Sequence, residues 1–183
     1  WFIDKKVKGD KKLVERALGR SFRISSGGFW QVHRGAAELL AQEVIQMAEG
    51  LDSAANNMDL YGGVGLFSGA LATKFGKSLN ITTVESSKVA TADAGANLVD
   101  LAKHKAVSAP VEGFLKAQIK QGLILEGATV VLDPPRAGAG KAVIDQLLFL
   151  RPAKIIYVAC DPVSLARDLK ALVSGGYRLE QIK

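Results

Sequence analysis

The feature that most constrains this chain is an alternation of short apolar runs with longer segments of helical periodicity. The apolar runs lie at Met58–Tyr61, Leu79–Val84, Lys105–Val107, Thr129–Leu132 and Ile155–Ala159. The helical segments that follow them lie at Leu66–Phe75, Ser87–Leu101, Glu112–Gln121, Lys141–Leu150 and Val163–Ser174. Near-continuous apolar strands that alternate with helices predict an α/β fold, an open, mostly parallel, doubly wound sheet with helices on both faces.

Two further segments flank this alternation. Apolar residues at helical spacing predict an amphipathic helix over Arg34–Glu49, and Tyr177–Ile182 is predicted to form a last strand. A chain of 183 residues, 48% of them hydrophobic, suits one globular domain. The cluster Ser25-Ser26-Gly27-Gly28 predicts a linker. We therefore expect a basic leader at residues 1–28, the remnant of a preceding subdomain, and the main domain at residues 29–183.

Positive charge is concentrated at the start of the chain. The first 23 residues hold eight Lys or Arg and three Asp or Glu, whereas the whole chain has a net charge of +6. Such a cluster can neutralise nucleic-acid phosphates and release counterions. It can equally form a solvated edge that maintains solubility. The charge is thus compatible with an RNA partner and does not demand one.

Cysteine and histidine usage excludes several kinds of site. Cys160 is the only cysteine, which excludes an intrachain disulfide and a cysteine-cluster zinc site and predicts a reduced, cytoplasmic protein. His33 and His104 have no metal-ligand spacing with each other or with Cys160, so we expect no metal. No apolar run reaches the roughly 20 residues that span a bilayer, so we expect no membrane partner.

The candidate site residues are those that follow the predicted strands, because ligands bind beyond the carboxyl ends of the strands in such a sheet. They are Tyr61-Gly62-Gly63-Val64-Gly65 after the first strand, Glu85 after the second, Asp133-Pro134-Pro135-Arg136 after the fourth and Cys160-Asp161-Pro162 after the fifth. A glycine turn, two carboxylates and the only thiol are therefore expected at one edge of the sheet.

The glycine turn is typical of a loop that approaches a ligand closely. Gly63 and Gly65 place no Cβ in the way, and the following helix offers free amide donors. Glu85 lies twenty positions after Gly65, where a carboxylate can accept hydrogen bonds from ribose hydroxyls. Ser68 replaces the third glycine of the dinucleotide fingerprint, which argues against a nicotinamide cofactor. An ordinary strand–helix turn and an exposed loop acid are the alternatives.

The double-proline segment and Cys160 are more specific. Pro134 and Pro135 fix the backbone φ and predict a rigid loop, as a reactive site requires, although a purely structural turn also fits. Asp161 is suited to cap the next helix. A thiol just before that helix lies at the positive end of its dipole, which stabilises a thiolate, whereas Asp161 acts against it. A nucleophile is favoured over a small buried hydrophobe for Cys160.

Six segments, in a fixed order, cover nearly all the chain from Phe29 onward. They are Phe29-Trp30-Gln31-Val32-His33, Asp59-Leu60-Tyr61-Gly62-Gly63-Val64-Gly65-Leu66-Phe67, Val84-Glu85, Leu132-Asp133-Pro134-Pro135-Arg136-Ala137-Gly138, Tyr157-Val158-Ala159-Cys160-Asp161-Pro162 and Leu165-Ala166-Arg167-Asp168-Leu169. In sequence and order they resemble the S-adenosylmethionine-dependent RNA 5-methyluridine (uracil-C5) methyltransferases.

The resemblance implies a class I, Rossmann-like methyltransferase domain that uses S-adenosylmethionine and acts on RNA, either tRNA or rRNA. It implies that the methyl donor is contacted by Gln31, Tyr61, Glu85 and Asp133, with Gly63 and Gly65 in the cofactor loop. Cys160 would be the nucleophile that adds to uridine C6 during C5 methylation. The family's carboxylate base lies in a His-x-Glu motif beyond Lys183. We therefore expect a catalytic domain truncated at its C-terminal end, without turnover on its own.

Three other functions stay open at this point. The first is methylation of cytosine C5 or of an amino nitrogen, although amino methylases usually have an aromatic residue where Arg136 stands. The second is a nicotinamide-dependent oxidoreductase, supported by the glycine turn and Glu85. The third is a non-catalytic RNA-binding module, for which only the basic leader argues.

Overall fold

The computed structural model describes residues 12–183, which form a five-stranded parallel sheet and a two-stranded antiparallel hairpin. The strands are β1 (Lys12–Ala17), β2 (Arg20–Ser25), β3 (Asn57–Leu60), β4 (Ile81–Glu85), β5 (His104–Ser108), β6 (Thr129–Leu132) and β7 (Lys154–Tyr157). The helices are α1 (Ala36–Met47), α2 (Leu66–Phe75), α3 (Lys88–Asn97), α4 (Val111–Lys120), α5 (Lys141–Leu150) and α6 (Pro162–Ser174).

The predicted parallel α/β sheet is confirmed, with the strand order β5-β4-β3-β6-β7. The chain enters the sheet at its centre, moves outward through β4 and β5, and returns to the other side of β3 for β6 and β7. The strand order therefore reverses beside β3. In open α/β sheets, the crevice beyond the carboxyl ends of the strands at such a reversal is where ligands bind.

Side chains of the central strands point alternately into two cores, one on each face of the sheet. Val130 and Leu132 belong to the core formed with α4 and α5, whereas Val131 between them belongs to the core formed with α1 and α2. Helices thus cover both faces, as predicted. None of the helices within residues 12–183 combines the length and the hydrophobicity that a bilayer-crossing segment requires.

The hairpin β1–β2 packs against the main sheet's helices. Phe22 is buried and contacts Trp30, with ring centroids 5.5 Å apart. The buried carboxylate of Asp93 on α3 accepts hydrogen bonds from the amide and hydroxyl of Ser25, at 2.7 and 2.9 Å. Arg20 forms an ion pair with Asp100. The segment predicted as a linker is a tight turn in which the Gly28 amide donates to the Ser25 carbonyl at 2.9 Å. The division of the chain at residue 28 stays a prediction, and residues 1–11 of the basic leader lie outside the described residues.

The strand predicted over Tyr177–Ile182 is wrong. Residues 177–183 have no regular secondary structure, because no neighbouring strand in the described part of the chain offers them a backbone ladder. The segment instead lines a groove of about 830 Å³ beside β7, between α1 and α6. The first residue of the segment, Tyr177, donates a hydrogen bond from its hydroxyl to the Pro152 carbonyl at 2.7 Å.

Candidate functional site

The glycine loop after β3 is tightly packed at Gly65 and open at Gly63. Gly65 has a φ of 90° and is the N-cap of α2, and its amide donates to the Gly62 carbonyl at 2.8 Å. A Cβ on Gly65 would lie 2.6 Å from the side chain of Leu98, and the positive φ also disfavours any residue with a Cβ, so both observations favour glycine there. At Gly63, where φ is 52°, nothing lies within 4 Å of an added Cβ. The backbone at Gly63 is therefore accessible to a ligand, and the positive φ accounts for the glycine.

Glu85 at the end of β4 contacts this loop directly. Its Oε2 accepts a hydrogen bond from the Gly63 amide at 3.2 Å, while its Oε1 accepts from the Ser87 amide at 2.7 Å. The side chain is half-buried. The structure thus brings together two residues that the sequence placed on neighbouring strand ends, and it fixes the carboxylate at the mouth of the loop.

A buried polar chain lies beneath the same loop. Asp59 in β3 is fully buried, and its Oδ2 accepts hydrogen bonds from the amide and hydroxyl of Ser68, at 2.9 and 2.8 Å. The Ser68 hydroxyl lies 2.6 Å from Thr83 Oγ1, which in turn lies 2.9 Å from His104 Nε2. Burial raises the pKa of Asp59 to about 7, with further contributions from the charges of Asp133 and Glu85.

No role for Asp59 was predicted from the sequence. The available signal was an acidic residue between two apolar residues, Met58 and Leu60, of the central strand, since a buried carboxylate must have specific partners. The replacement of glycine by Ser68 also acquires a structural reason. Its hydroxyl and amide bind Asp59 and so hold the first turn of α2 against β3. His33, by comparison, is exposed, and its Nδ1 accepts a hydrogen bond from the Gly35 amide at 3.2 Å.

Asp133 and Tyr61 lie at the ends of the two central strands. The Asp133 amide donates to the Leu60 carbonyl at 3.2 Å, which places Asp133 at the carboxyl ends of the neighbouring strands β3 and β6. Burial raises the pKa of Asp133 to about 6. Tyr61 has a φ of 62°, and burial together with the charges of Asp168 and Glu112 raises its pKa to about 12. At neutral pH Tyr61 is therefore a neutral phenol.

Gln31 lies in the irregular segment between the hairpin and α1. It follows Trp30, which anchors this segment by packing against Phe22 and the hydrophobic core. Gln31 is half-buried, and within residues 12–183 it forms no hydrogen bond with the other predicted site residues. The structure therefore leaves Gln31 apart from the directly bonded group of Gly63 and Glu85.

Cys160 is exposed two residues before α6, so it is not the small buried hydrophobe that was the alternative. Asp161 caps α6 as predicted, accepting a hydrogen bond from the Ser164 amide at 2.8 Å. Hydrogen bonds from Ser164 lower the pKa of Asp161, and the positive charge of Arg136 contributes to the same effect.

The sheet edge therefore combines an open glycine turn, acceptors for hydroxyl or ammonium groups, and an accessible sulfur. Within residues 12–183, no three His, Cys, Asp or Glu side chains converge as metal ligands would. Such an edge can bind a polar ligand with several hydroxyl groups on one side and can offer a nucleophile to a second molecule on the other.

Several known proteins are similar to this chain. The uncharacterized RNA methyltransferase of Streptomyces avermitilis is 45% identical over 180 residues, which are 97% of this chain and 40% of that protein. An uncharacterized RNA methyltransferase of Bifidobacterium longum is 37% identical over 182 residues, 96% of this chain and 42% of that protein. The chain thus spans about two fifths of the length of these relatives.

A solved structure with a bound ligand has the same fold. The Pyrococcus abyssi tRNA (uracil-54, C5)-methyltransferase, in complex with S-adenosyl-L-homocysteine, matches with a TM-score of 0.72 and 28% identity. The match covers 90% of this chain and 38% of that one. The predicted class I, Rossmann-like methyltransferase fold is confirmed.

The family model for tRNA (uracil-5-)-methyltransferase matches residues 5–182, nearly the whole chain. Proteins of this family use S-adenosylmethionine. The resemblance seen in the ordered sequence segments is confirmed. The chain belongs to the tRNA (uracil-5-)-methyltransferase family.

Proposed function

We propose that this chain is the methyl-donor-binding catalytic part of an enzyme that methylates C5 of uridine in RNA, either tRNA or rRNA. The observation that carries the proposal is the exposed thiol of Cys160, at the same strand edge as the glycine loop and Glu85. A donor site alone would suit many methyltransferases. An accessible cysteine beside it suits the smaller group that must activate a pyrimidine ring. A cytoplasmic location, expected from the reduced cysteine, belongs to the same proposal.

The residues at the loop fit S-adenosylmethionine, which supplies an electrophilic methyl group when bound. The open backbone at Gly63 and the turn at Gly65 admit a ligand to the carboxyl end of β3. Glu85, already held at the loop mouth, has the chemistry to accept hydrogen bonds from two ribose hydroxyls. The remaining donor contacts would be made by Gln31, Tyr61 and Asp133.

Cys160 has a defined task in this chemistry, because C5 of uracil is a weak nucleophile. The thiolate sulfur forms a bond to C6, and the electrons of the C5=C6 double bond move to give an enolate-like C5. C5 then forms a bond to the methyl carbon while the bond from that carbon to the sulfonium sulfur breaks, so that the donor would leave as S-adenosylhomocysteine. A base removes the C5 proton, the double bond returns, and the bond between sulfur and C6 breaks. The target base must leave its stack to reach the exposed thiol.

The base that removes the C5 proton is not assigned to any residue of this chain. Because the chain spans about two fifths of the length of its relatives, turnover is tested with a full-length protein of the relatives' size, and the chain alone is suited to binding measurements. RNA treated with the full-length protein and S-adenosylmethionine is digested and its nucleosides are analysed by mass spectrometry. We expect 5-methyluridine, and we expect Cys160→Ala to abolish it. Cys160→Ser serves as the size-matched variant, since its hydroxyl is a far weaker nucleophile.

Two results would contradict the proposal. Methyladenosine or 5-methylcytidine as the product would assign the protein to a different methylation. Unimpaired formation of 5-methyluridine by both Cys160 variants would leave the product as proposed but remove the covalent mechanism.

A further inference from the structure

Asp168 is a buried carboxylate on α6 that the chemistry proposed above does not use. Its side chain is 2% exposed, and it lies eight positions after Cys160. Oδ2 accepts hydrogen bonds from the Tyr157 hydroxyl at 2.7 Å and from the Ala139 amide at 2.8 Å. Tyr157 is the last residue of β7, and Ala139 belongs to the loop at residues 133–140. One carboxylate thus joins three elements of the candidate site.

The second oxygen of this carboxylate adds Arg167 to these contacts, and we call the hydrogen-bonded group of Asp168, Arg167, Tyr157 and Ala139 the junction. Asp168 Oδ1 accepts hydrogen bonds from Arg167 Nε and Nη2, at 2.9 and 2.8 Å. The same Nη2 donates to the Ala137 carbonyl at 2.8 Å. The loop at residues 133–140 is therefore held by its backbone at two points, at Ala137 through Arg167 and at Ala139 through Asp168.

The loop is also packed closely against this pair. Gly138 has a φ of 82°, and a Cβ there would lie 2.6 Å from both Arg167 Nη2 and Asp168 Oδ2. The Gly138 amide donates to the Pro135 carbonyl at 2.8 Å, which closes the turn after the double proline. Backbone and side chains are in contact without intervening space. A side chain at residue 138 must therefore displace the loop, Arg167 or Asp168.

The charge of the junction is maintained at neutral pH. Burial by itself would raise the pKa of Asp168, but hydrogen bonds from Tyr157, from Arg167 and from the loop amides lower it below its ordinary value. Charge-assisted hydrogen bonds of this kind are shorter and stronger than neutral ones. The junction is accordingly a stiff connection between the loop and the helix.

We propose that Asp168 is a positioning residue that fixes the loop carrying Asp133 and Arg136 relative to the helix that follows Cys160. This inference rests on the proposed function, in which the loop borders the methyl donor and the thiol attacks the base. Methyl transfer requires the donor carbon and C5 to meet within a fraction of an ångström. Neither Asp168 nor Arg167 needs to touch donor or RNA for this role. Asp133 is also anchored by the hydrogen bond from its amide to the Leu60 carbonyl, so loosening the junction slows the chemical step while leaving donor binding nearly intact.

The test compares Asp168→Asn with Asp93→Asn in the full-length protein. Asp93 is a matched control, because it is also a buried carboxylate and also accepts from a backbone amide and a hydroxyl, those of Ser25. It holds the hairpin rather than the loop at residues 133–140. Single-turnover methyl transfer to RNA is followed with labelled donor, and calorimetry gives the dissociation constant for S-adenosylhomocysteine.

We expect Asp168→Asn to lower the single-turnover rate per folded enzyme by about tenfold or more while the dissociation constant changes by less than about threefold. Asp93→Asn should leave the rate per folded enzyme within about twofold of the wild type, whatever its effect on stability. An unchanged rate in Asp168→Asn, or an equal loss in both variants, would overturn the positioning role. A wild-type protein that does not methylate uridine would instead reject the proposed function.

Tyr157→Phe supplies an independent variant in case Asp168→Asn does not fold. It removes the donor from Tyr157 to Asp168 and the hydroxyl that accepts from the Ala139 amide at 2.9 Å, and it leaves the bonds from Arg167 and Ala139 to Asp168 in place. We expect its single-turnover rate to fall by about threefold or more, with donor affinity retained. A rate equal to that of the wild type would overturn the proposal.

Discussion

The carboxylate of Glu85 accepts a hydrogen bond from the amide of Gly63 at 3.2 Å, which joins the end of β4 to the glycine loop after β3. The ends of these two strands thereby form one surface, in which the Glu85 carboxylate lies beside the accessible backbone of Gly63. This contact explains how residues far apart in the sequence can hold one ligand, and it leads to the first prediction.

Glu85→Gln should weaken the binding of S-adenosylhomocysteine by about tenfold, because a charged acceptor for hydroxyl groups becomes a neutral amide. The affinity is measured by calorimetric titration of this chain. Glu126→Gln is the control, since Glu126 is an exposed loop acid outside the candidate site. Equal affinity for Glu85→Gln and the wild type would remove Glu85 from the donor site.

Asp59→Asn should flatten the pH dependence of stability. The native protein retains the proton of Asp59 up to a pKa of about 7, whereas the unfolded carboxyl loses it near 3.8. Between those values the native state binds more protons, so the free energy of unfolding falls as the pH rises. Asparagine cannot titrate and removes this slope. Asp133, whose pKa is raised to about 6, retains a slope of the same sign.

Denaturant unfolding at several pH values between 4 and 8 measures this effect for the wild type and Asp59→Asn. Asp145→Asn, a change at an exposed residue, should reproduce the wild-type slope. A slope that is unchanged in Asp59→Asn would show that the native carboxyl does not retain its proton.

Gly138→Ala should impair methyl transfer more than stability alone explains. Its Cβ would displace Arg167 or Asp168, whereas a Cβ on Gly127, at a similar φ of 80°, would meet nothing within 4 Å. Both substitutions cost about 1–2 kcal/mol of backbone strain. The single-turnover rate of the full-length protein should therefore fall with Gly138→Ala and not with Gly127→Ala. Equal rates in the two variants would show that the packing of the loop at Gly138 does not affect methyl transfer.

Cys160 should react with a maleimide reagent in the folded chain, because its side chain is exposed. The only cysteine of the sequence gives an unambiguous signal in intact-mass analysis. We expect complete single labelling under native conditions. Labelling that occurs only after denaturation would mean that the thiol is buried and cannot reach a nucleic-acid base.

The sequence predicts most of the fold because the pattern of strands and helices is local. Leu66–Phe75 and Lys141–Leu150 form helices with the predicted bounds. The predicted strand at Tyr177–Ile182 failed since a strand requires a neighbour, and apolar alternation does not reveal whether one is present. The local sequence pattern therefore predicted regular secondary structure that this segment does not have.

The candidate site was only partly predictable for a similar reason. Glu85 and the glycine loop were found because both follow strands directly. The buried contacts of Asp59 and Asp168 depend on partners nine and twenty-nine positions away, on other elements. Both residues stand in the ordered segments. The position of Asp59 within a strand signals a need for partners without identifying them, and nothing local distinguishes Asp168 from a surface acid. Their roles become visible only once the hydrogen bonds are known.

The most direct test of the central claim is a trapping experiment on the full-length protein with RNA that contains 5-fluorouridine. After sulfur addition and methyl transfer, a base cannot remove fluorine from C5 as it removes a proton, so the enzyme stays bonded to the RNA. The account predicts a donor-dependent covalent complex whose modified peptide contains Cys160, and no complex with Cys160→Ala. Formation of 5-methyluridine from ordinary RNA without any trapped complex, or a trap at another residue, would contradict it.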